Sequence, residues 1–153
     1  MPGRPKSKRR SGCPVNRSLE IFGDRWSLLI VRDLMIRGYR NFKDFQQSGE
    51  GIASNILTDR LRRLKRDGIL SAEAVENDGR RVDYRLTEKG IALAPVLFEL
   101  LLWGGQHDED AMPSPVIDKM KKHRETILAE VRRRWRERDH TPLQAKTGEW
   151  FLP

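Results

Sequence analysis

Short polar and basic side chains recur on one side of a predicted helix that runs from about Ser54 to Arg66. Three leucines, Leu57, Leu61 and Leu64, form a narrow apolar stripe on the other side, at about 100° per residue. The polar side carries hydroxyl, amide, carboxylate and guanidinium groups, from Ser54, Asn55, Thr58, Asp59, Arg62, Arg63 and Arg66. Such groups can hydrogen-bond to base edges or phosphates, and a helix fits the major groove of double-stranded DNA, which is about 12 Å wide.

The position of each group along this helix predicts what it contacts. Asn55 and Thr58 lie near the N-terminus of the helix, where short side chains can reach base edges. Arg62 can pair with guanine or with a phosphate, whereas Arg63 and Arg66 are better placed for phosphates. The alternative is an ordinary solvated helix face, because runs of charge usually face water.

A second cationic group follows at Arg80 and Arg81. Two β-favouring runs, 69–75 and 82–86, flank a turn sequence with Asn-Asp-Gly at its centre, and together they predict a hairpin. Its tip, Gly79-Arg80-Arg81, would bring two guanidinium groups to the neighbouring minor groove or backbone. A basic helix alone is a weak indication of nucleic-acid binding, and the arginine-tipped hairpin at this spacing makes it much stronger.

The other predicted elements place these groups in a defined architecture. Three short helices come before the basic helix, and a strongly apolar fifth helix follows the hairpin. This order is typical of a winged helix-turn-helix domain, in which the hairpin is the wing. We therefore predict an α+β, mainly helical fold, with that domain at residues 13–105. An added C-terminal helix over about 116–138 and an irregular tail would form a helical extension at 113–153.

Residue types suited to helix caps predict where several of these helices begin. Asp24 can cap the second helix, and Asn41 can cap the third. Thr87 can cap the fifth helix, which extends through Trp103. Ser114-Pro115 is a good start for the last helix, with a cap followed by proline at the first helical position.

The fifth helix is more apolar than one small domain can bury. Its apolar residues are Leu93, Val96, Leu97, Leu100, Leu101 and Trp103, and the last helix adds Ile117, Met120, Ile127, Val131 and Trp135. Self-pairing about a two-fold axis would cover such stripes, so we expect a homodimer. Trp26 and Trp103 are expected in the core or in that dimer interface.

The net charge of +8 is distributed unevenly along the chain. Residues 1–12 carry +5, residues 13–112 carry −1 and residues 113–153 carry +4. A nearly neutral domain must bind nucleic acid through locally concentrated charge, while the two ends can add sequence-independent attraction.

Residues 1–12 combine proline, glycine and serine with charge, which predicts a disordered basic arm. Its cations, expected to contact DNA, are Arg4, Lys6, Lys8, Arg9 and Arg10. Gly3-Arg4-Pro5 resembles the core of an AT-hook, which enters narrow minor grooves. A solubilising basic tail explains the same residues at least as well.

Cys13 is the single cysteine of the chain, which rules out an internal disulfide and favours the reducing cytoplasm. It is either a small buried residue or, at a helix N-terminus beside a basic arm, an activated thiol. The three histidines share no ligand spacing, so we expect no metal and no cofactor. No catalytic constellation and no membrane-spanning run is present, so neither an enzyme nor a membrane partner is expected.

Several motifs resemble those of HxlR-type bacterial winged-helix regulators, over roughly residues 13–105. They are Cys13-Pro14-Val15, Gly23–Ile30, Arg40–Phe45, Gly51-Ile52, Leu57–Leu61, Leu64, Asp67–Leu70, Tyr84–Thr87 and Gly90. The resemblance implies a dimeric DNA-binding regulator with dimer contacts from the first and last helices of the domain. It also implies that Cys13 matches the cysteine through which some members sense electrophiles or oxidants.

The sequence thus favours a transcription regulator that binds a specific inverted repeat in double-stranded DNA as a homodimer. Its effector would be a small molecule or an oxidant. A general nucleic-acid-binding or chromosome-architecture protein is the alternative, and a protein-docking module is a third. An architectural protein would spread charge over its whole surface, and a docking module has no use for arginines at a hairpin tip.

Overall fold

A computed structural model of the chain describes residues 11–108, 110–145 and 147–153. Its helices surround one antiparallel hairpin, so the predicted α+β, mainly helical winged helix-turn-helix architecture is confirmed. In chain order the elements are α1 (Pro14–Phe22), α2 (Ser27–Met35), α3 (Phe42–Gln46), α4 (Ser54–Arg66), β1 (Leu70–Val75), β2 (Asp78–Leu86), α5 (Glu88–Ile91), α6 (Ala94–His107), α7 (Ser114–Lys122) and α8 (Arg124–Glu137).

Two of the predicted caps, Asn41 and Thr87, lie directly before their helices. The prediction of Asp24 as the cap of α2 is wrong, because Trp26 is the N-cap residue, although the Asp24 carboxylate accepts hydrogen bonds from the amides of Trp26 and Ser27, at 2.8 and 3.0 Å. Asn41 forms a reciprocal capping box with the third residue of α3. The Thr87 hydroxyl accepts the amide of Gly90 at 3.1 Å at the start of α5. These side chains satisfy amides that the first helical turn leaves without partners.

The predicted fifth helix is two helices, α5 and α6, and the prediction of one continuous helix is wrong. The reason is Pro95, which has no amide hydrogen to donate to the carbonyl one turn earlier. The chain therefore leaves the helix after Ile91 and begins again with proline in the first turn of α6.

The predicted last helix is also two helices, α7 and α8, with a break at His123. Ser114 is the first residue of α7 and makes no capping hydrogen bond, so its assignment as a cap is wrong. A straight helix over 116–138 would be about 35 Å long. Because the chain bends at His123, α7 and α8 both pack against α6.

The main hydrophobic core joins the winged domain to the C-terminal extension. Its buried members are Ile30, Val31, Ile36, Phe45, Leu57, Leu61, Leu64, Ile69, Leu70, Leu86, Ile91, Ala94, Leu97, Val131 and Leu143. A second cluster, where α6 meets α7 and α8, contains Phe98, Leu102, Met112, Ile117, Met120 and Ile127. Within residues 140–145 and 147–153 the tail has no helix, yet Leu143 is 2% exposed and its amide donates to the carbonyl of Ile36 at 2.7 Å.

In the part of the chain that the structure describes, no helix is both long enough and apolar enough to cross a membrane.

Candidate nucleic-acid interface

The helix α4 has the bounds and the two faces that its sequence predicts. Leu57, Leu61 and Leu64 are at most 3% exposed and anchor the helix in the core. The predicted contact residues Ser54, Asn55, Thr58, Arg62, Arg63 and Arg66 are all exposed, and Lys65 is exposed with them. Three cations in the last turn also interact favourably with the negative end of the helix dipole.

Asp59 organises the arginines on this face. Its carboxylate accepts a hydrogen bond from Arg62 at 2.9 Å and pairs with the Arg63 Nε at 3.1 Å. Arg60 donates to the same carboxylate. Partial burial acts against ionisation, but the hydrogen bond from Arg62 and the charges of Arg63 and Arg60 lower the pKa of Asp59. Asp59 therefore stays ionised and holds the guanidinium groups in place before any ligand arrives.

Arg60 is a positioning residue that the sequence analysis missed. Its Nε donates to the Asp24 carboxylate at 3.0 Å, which ties the middle of α4 to the start of α2. The two residues lie 36 positions apart, so no local pattern pointed to this contact.

Thr58 and Asn55 differ in what they can offer to a ligand. The Thr58 hydroxyl donates to the carbonyl of Ser54 at 2.9 Å, one helical turn back, so its hydrogen is already used. The side-chain amide of Asn55 has no hydrogen-bond partner within residues 11–108, 110–145 and 147–153. Asn55 is exposed near the start of α4.

The wing differs from its prediction at the tip. Glu76 and Asn77 make the turn, and Asn77 has a positive φ of 66°, a conformation that asparagine tolerates better than most residues. The prediction of Gly79-Arg80-Arg81 as the tip is wrong. The register runs Ala74↔Val82 and then Val75↔Asp78, so the three residues bulge from β2 beside the turn.

Arg80 and Arg81 remain exposed in this bulge. The Arg81 Nε pairs with Asp83 at 3.1 Å, whereas the Arg80 side chain has no ion-pair partner among the described residues. The bulge therefore places two cations on the exposed part of the wing, which follows α4 in the chain. On the preceding helix, α3, Lys43 is also exposed. The sequence analysis did not select Lys43, although the first helix of a helix-turn-helix pair usually crosses the DNA backbone.

Cys13 is the N-cap residue of α1 and is exposed, so the alternative of a buried cysteine is wrong. The backbone amides of Asn16 and then Val15, in the first turn of α1, favour the thiolate and so lower the pKa of its thiol, although neither makes a hydrogen bond to Sγ in the structure. The predicted arm residues Arg4, Lys6, Lys8, Arg9 and Arg10 lie outside the described residues.

Two helices present apolar side chains to solvent. Val15 and Leu19 of α1 are 67% and 55% exposed. On α6, Val96, Leu100 and Trp103 are 42%, 48% and 65% exposed, at a spacing that places them on one side of the helix. Trp103 is therefore not a core residue.

Comparison with known proteins covers most of the winged domain. A family model described as HxlR-like helix-turn-helix matches residues 21–112. The uncharacterised HTH-type transcriptional regulator YdeP of Bacillus subtilis is 35% identical over 98 residues, which are 64% of this chain and 76% of YdeP.

Two solved structures are similar over more than half of the chain. The redox regulator HypR in its oxidised form is 33% identical, with a TM-score of 0.56 over 61% of this chain and 96% of HypR. The reduced form of the transcriptional regulator YodB from B. subtilis is 31% identical, with a TM-score of 0.53 over 65% of this chain and 98% of YodB.

Proposed function

The chain belongs to the HxlR-like helix-turn-helix family of transcription regulators, and we propose that it binds an inverted-repeat operator in double-stranded DNA as a homodimer. The observation that carries this proposal is α4. Three buried leucines fix the helix in the core, and its opposite face presents an amide, hydroxyls and guanidinium groups to solvent. A helix with such a face can enter the major groove and distinguish base pairs there.

In this proposal α4 reads the bases, and the last part of α4 together with the wing binds the DNA backbone. Asn55, Thr58 and Arg62 are exposed over the first half and middle of α4, so we assign them to base edges. Arg63 and Arg66, farther along the helix, are assigned to phosphates, as are Arg80 and Arg81 of the wing. Ser54 and Asp59 support the face, since the backbone carbonyl of Ser54 accepts a hydrogen bond from the Thr58 hydroxyl and the Asp59 carboxylate pairs with the arginines.

The dimer in this proposal is formed by the exposed apolar sides of α1 and α6. Val15 and Leu19 on one helix, and Val96, Leu100 and Trp103 on the other, are costly to leave in water. A second copy offers the same residues in return about a two-fold axis. The two α4 helices would then meet half-sites whose centres lie about 34–36 Å apart, one turn of DNA.

Selection of bound duplexes from a random library tests the operator. We expect an enriched inverted repeat, bound by two chains per duplex in native mass spectrometry. Light scattering of the DNA-free protein at micromolar concentration should report a dimer, and Leu100→Lys with Trp103→Lys should report a monomer. Enrichment of an asymmetric site bound by one chain, or a monomeric wild type, contradicts the proposal.

We also propose that Cys13 makes DNA binding responsive to electrophiles or oxidants. Its thiol is exposed and its lowered pKa favours the nucleophilic thiolate. The similarity to HypR, a redox regulator, supports the same idea. Because the chain has one cysteine, the disulfides that oxidation can form are a mixed disulfide with a small thiol or a bridge between two chains, and an electrophile can yield an adduct.

A quinone tests this response, because a thiolate adds to its ring and forms a carbon–sulfur bond without needing a second thiol. The wild type should gain the mass of one quinone per chain and change its affinity for the selected duplex, while Cys13→Ser should do neither. Equal changes of affinity in both proteins would show that the effector acts elsewhere.

A further inference from the structure

Helix α8, which follows the residues matched by the family model, packs on one face of the wing. The Trp135 indole Nε1 donates to the carbonyl of Leu86 at 2.8 Å, where β2 ends. In return, Arg85 donates to the carbonyl of Trp135 at 2.7 Å, and its guanidinium lies over the indole ring, 4.7 Å from the centre. The base of the wing and α8 thus exchange two hydrogen bonds and a cation–π contact.

A second contact reaches farther along the same face of the wing. Arg138 binds Glu73 of β1 with both guanidinium branches, at 2.9 and 3.1 Å. Glu73 lies two residues beyond Ser71, the cross-strand partner of Arg85, so Glu73 and Arg85 project from one face of the hairpin. Trp135 and Arg138 are three residues apart and lie on one side of α8.

The backbone of Arg138 adds an independent observation. Arg138 ends α8 with φ 55° and ψ 36°, the left-handed conformation that favours glycine. A bulky residue in this conformation is strained, and such strain persists only where the surroundings enforce it. Glycine would end the helix with less strain, but it could not reach Glu73.

We propose that α8 is a brace that holds the wing at a fixed angle beside α4, with Trp135 and Arg138 as positioning residues for DNA binding. A two-stranded hairpin is marginally stable alone, and the part beyond Glu73 carries the two exposed arginines. Ordering that part before DNA arrives removes an entropic cost from binding. This role rests on the proposed DNA-binding function, and it gives the C-terminal extension a part in that function.

Amide hydrogen exchange of the DNA-free protein tests the brace without relying on DNA binding. Glu73→Ala and Arg138→Gly should each speed exchange of the wing amides at 72–75 and 80–84 about two- to fivefold, the range of exposed ion pairs. Amides of α4 should not change. Arg136→Ala is the matched control, since it removes an exposed arginine of α8 that has no ion-pair partner among the described residues. Exchange at the wild-type rate in both variants overturns the brace.

Affinity for a 30-base-pair duplex of mixed sequence, measured at several salt concentrations, then tests its consequence for binding. Removing the negative charge of Glu73 should strengthen binding if charge alone mattered, whereas loss of the brace weakens it. We expect Glu73→Ala, Arg138→Gly and the double variant to lose affinity by the same factor. The slope of the logarithm of the binding constant against the logarithm of the salt concentration (the salt slope) should not change.

A tighter Glu73→Ala complex, or a slope reduced by about 0.9 in Arg138→Gly alone, would mean that Arg138 contacts phosphate directly, and it would overturn the brace. A wild type that binds no duplex would instead refute the proposed function, and the exchange measurement would still decide whether α8 restrains the wing.

Discussion

Helix α4 and the wing carry the arginines proposed to contact DNA, and they are held in opposite ways. Three buried leucines anchor α4 in the core, and Asp59 in the middle of the helix orients its arginines. The wing buries little of its outer half, and Arg138 contacts it through Glu73, 65 positions earlier in the chain. A helix anchored in the core suits base readout, which requires exact hydrogen-bond geometry, and an exposed hairpin held by a few contacts suits phosphates, which are the same at every base pair.

The largest expected effect is on stability, to which α4 should contribute much more than the wing. Leu61→Ala in α4 should lower the free energy of unfolding by about 2–5 kcal/mol, because it leaves a cavity in the main core. Val82→Ala in the wing should cost less than about 0.5 kcal/mol, because Val82 is 39% exposed. Urea unfolding followed by tryptophan fluorescence measures both, and equal losses would remove the distinction.

The second largest effect concerns the preference of α4 for particular base pairs. Arg62→Ala should weaken binding to the selected operator by about 1–3 kcal/mol and relax the preference at one base pair. Binding to a scrambled duplex should change much less. Lys65→Ala is the matched control, since it removes one exposed cation from the same helix. If Arg62→Ala loses equally on both duplexes, Arg62 contacts the backbone.

The wing arginines should show the converse behaviour. Arg80→Ala or Arg81→Ala should weaken binding to operator and scrambled DNA alike, and each should lower the salt slope by about 0.9, the value for one phosphate contact. Lys121→Ala on α7 serves as the control for general loss of charge. A loss confined to the operator would assign the wing to base reading.

The smallest effect concerns α8, which links the core to the wing. Hydrogen bonding from Arg133, with a further bond and charge from Arg134, lowers the pKa of Glu130 to about 2 from the ordinary 4.5. The ion pairs of Glu130 with Arg133 and Arg134 therefore stabilise the fold above pH 4.5. This contribution is lost as pH falls from 4.5 towards 2. Wild type should be more stable than Glu130→Gln at pH 6, by up to about 1 kcal/mol.

The difference between the urea midpoints of the two proteins should shrink as pH falls from 4.5 towards 2. A difference that does not change with pH would mean that Glu130 acts through packing and not through its charge.

The sequence predicted the locally encoded parts of this molecule. The apolar stripe of α4 predicted its buried face, and the caps at Asn41 and Thr87 predicted the starts of two helices. In each case the signal and the structure it specifies lie within a few residues of each other. The outward face of α4 follows from the same periodicity.

The parts that were missed depend on contacts between distant residues. The Arg60–Asp24 pair, the burial of Leu143 against α2 and the wing contact of Arg138 each join segments that the sequence does not relate. The bulge that carries Arg80 and Arg81 is set by the pairing register, which a turn motif alone does not fix.

Helical phasing of the operator tests the central claim most directly. A dimer with two α4 helices must find both half-sites on one side of the duplex. Inserting five base pairs between the half-sites of the selected duplex rotates one half-site by about half a turn relative to the other. We predict that affinity then falls to that of a duplex with a single half-site. Inserting ten base pairs instead restores the relative orientation of the two half-sites but not their spacing. Unchanged affinity after the five-base-pair insertion would show that each chain binds alone, and it would contradict the account.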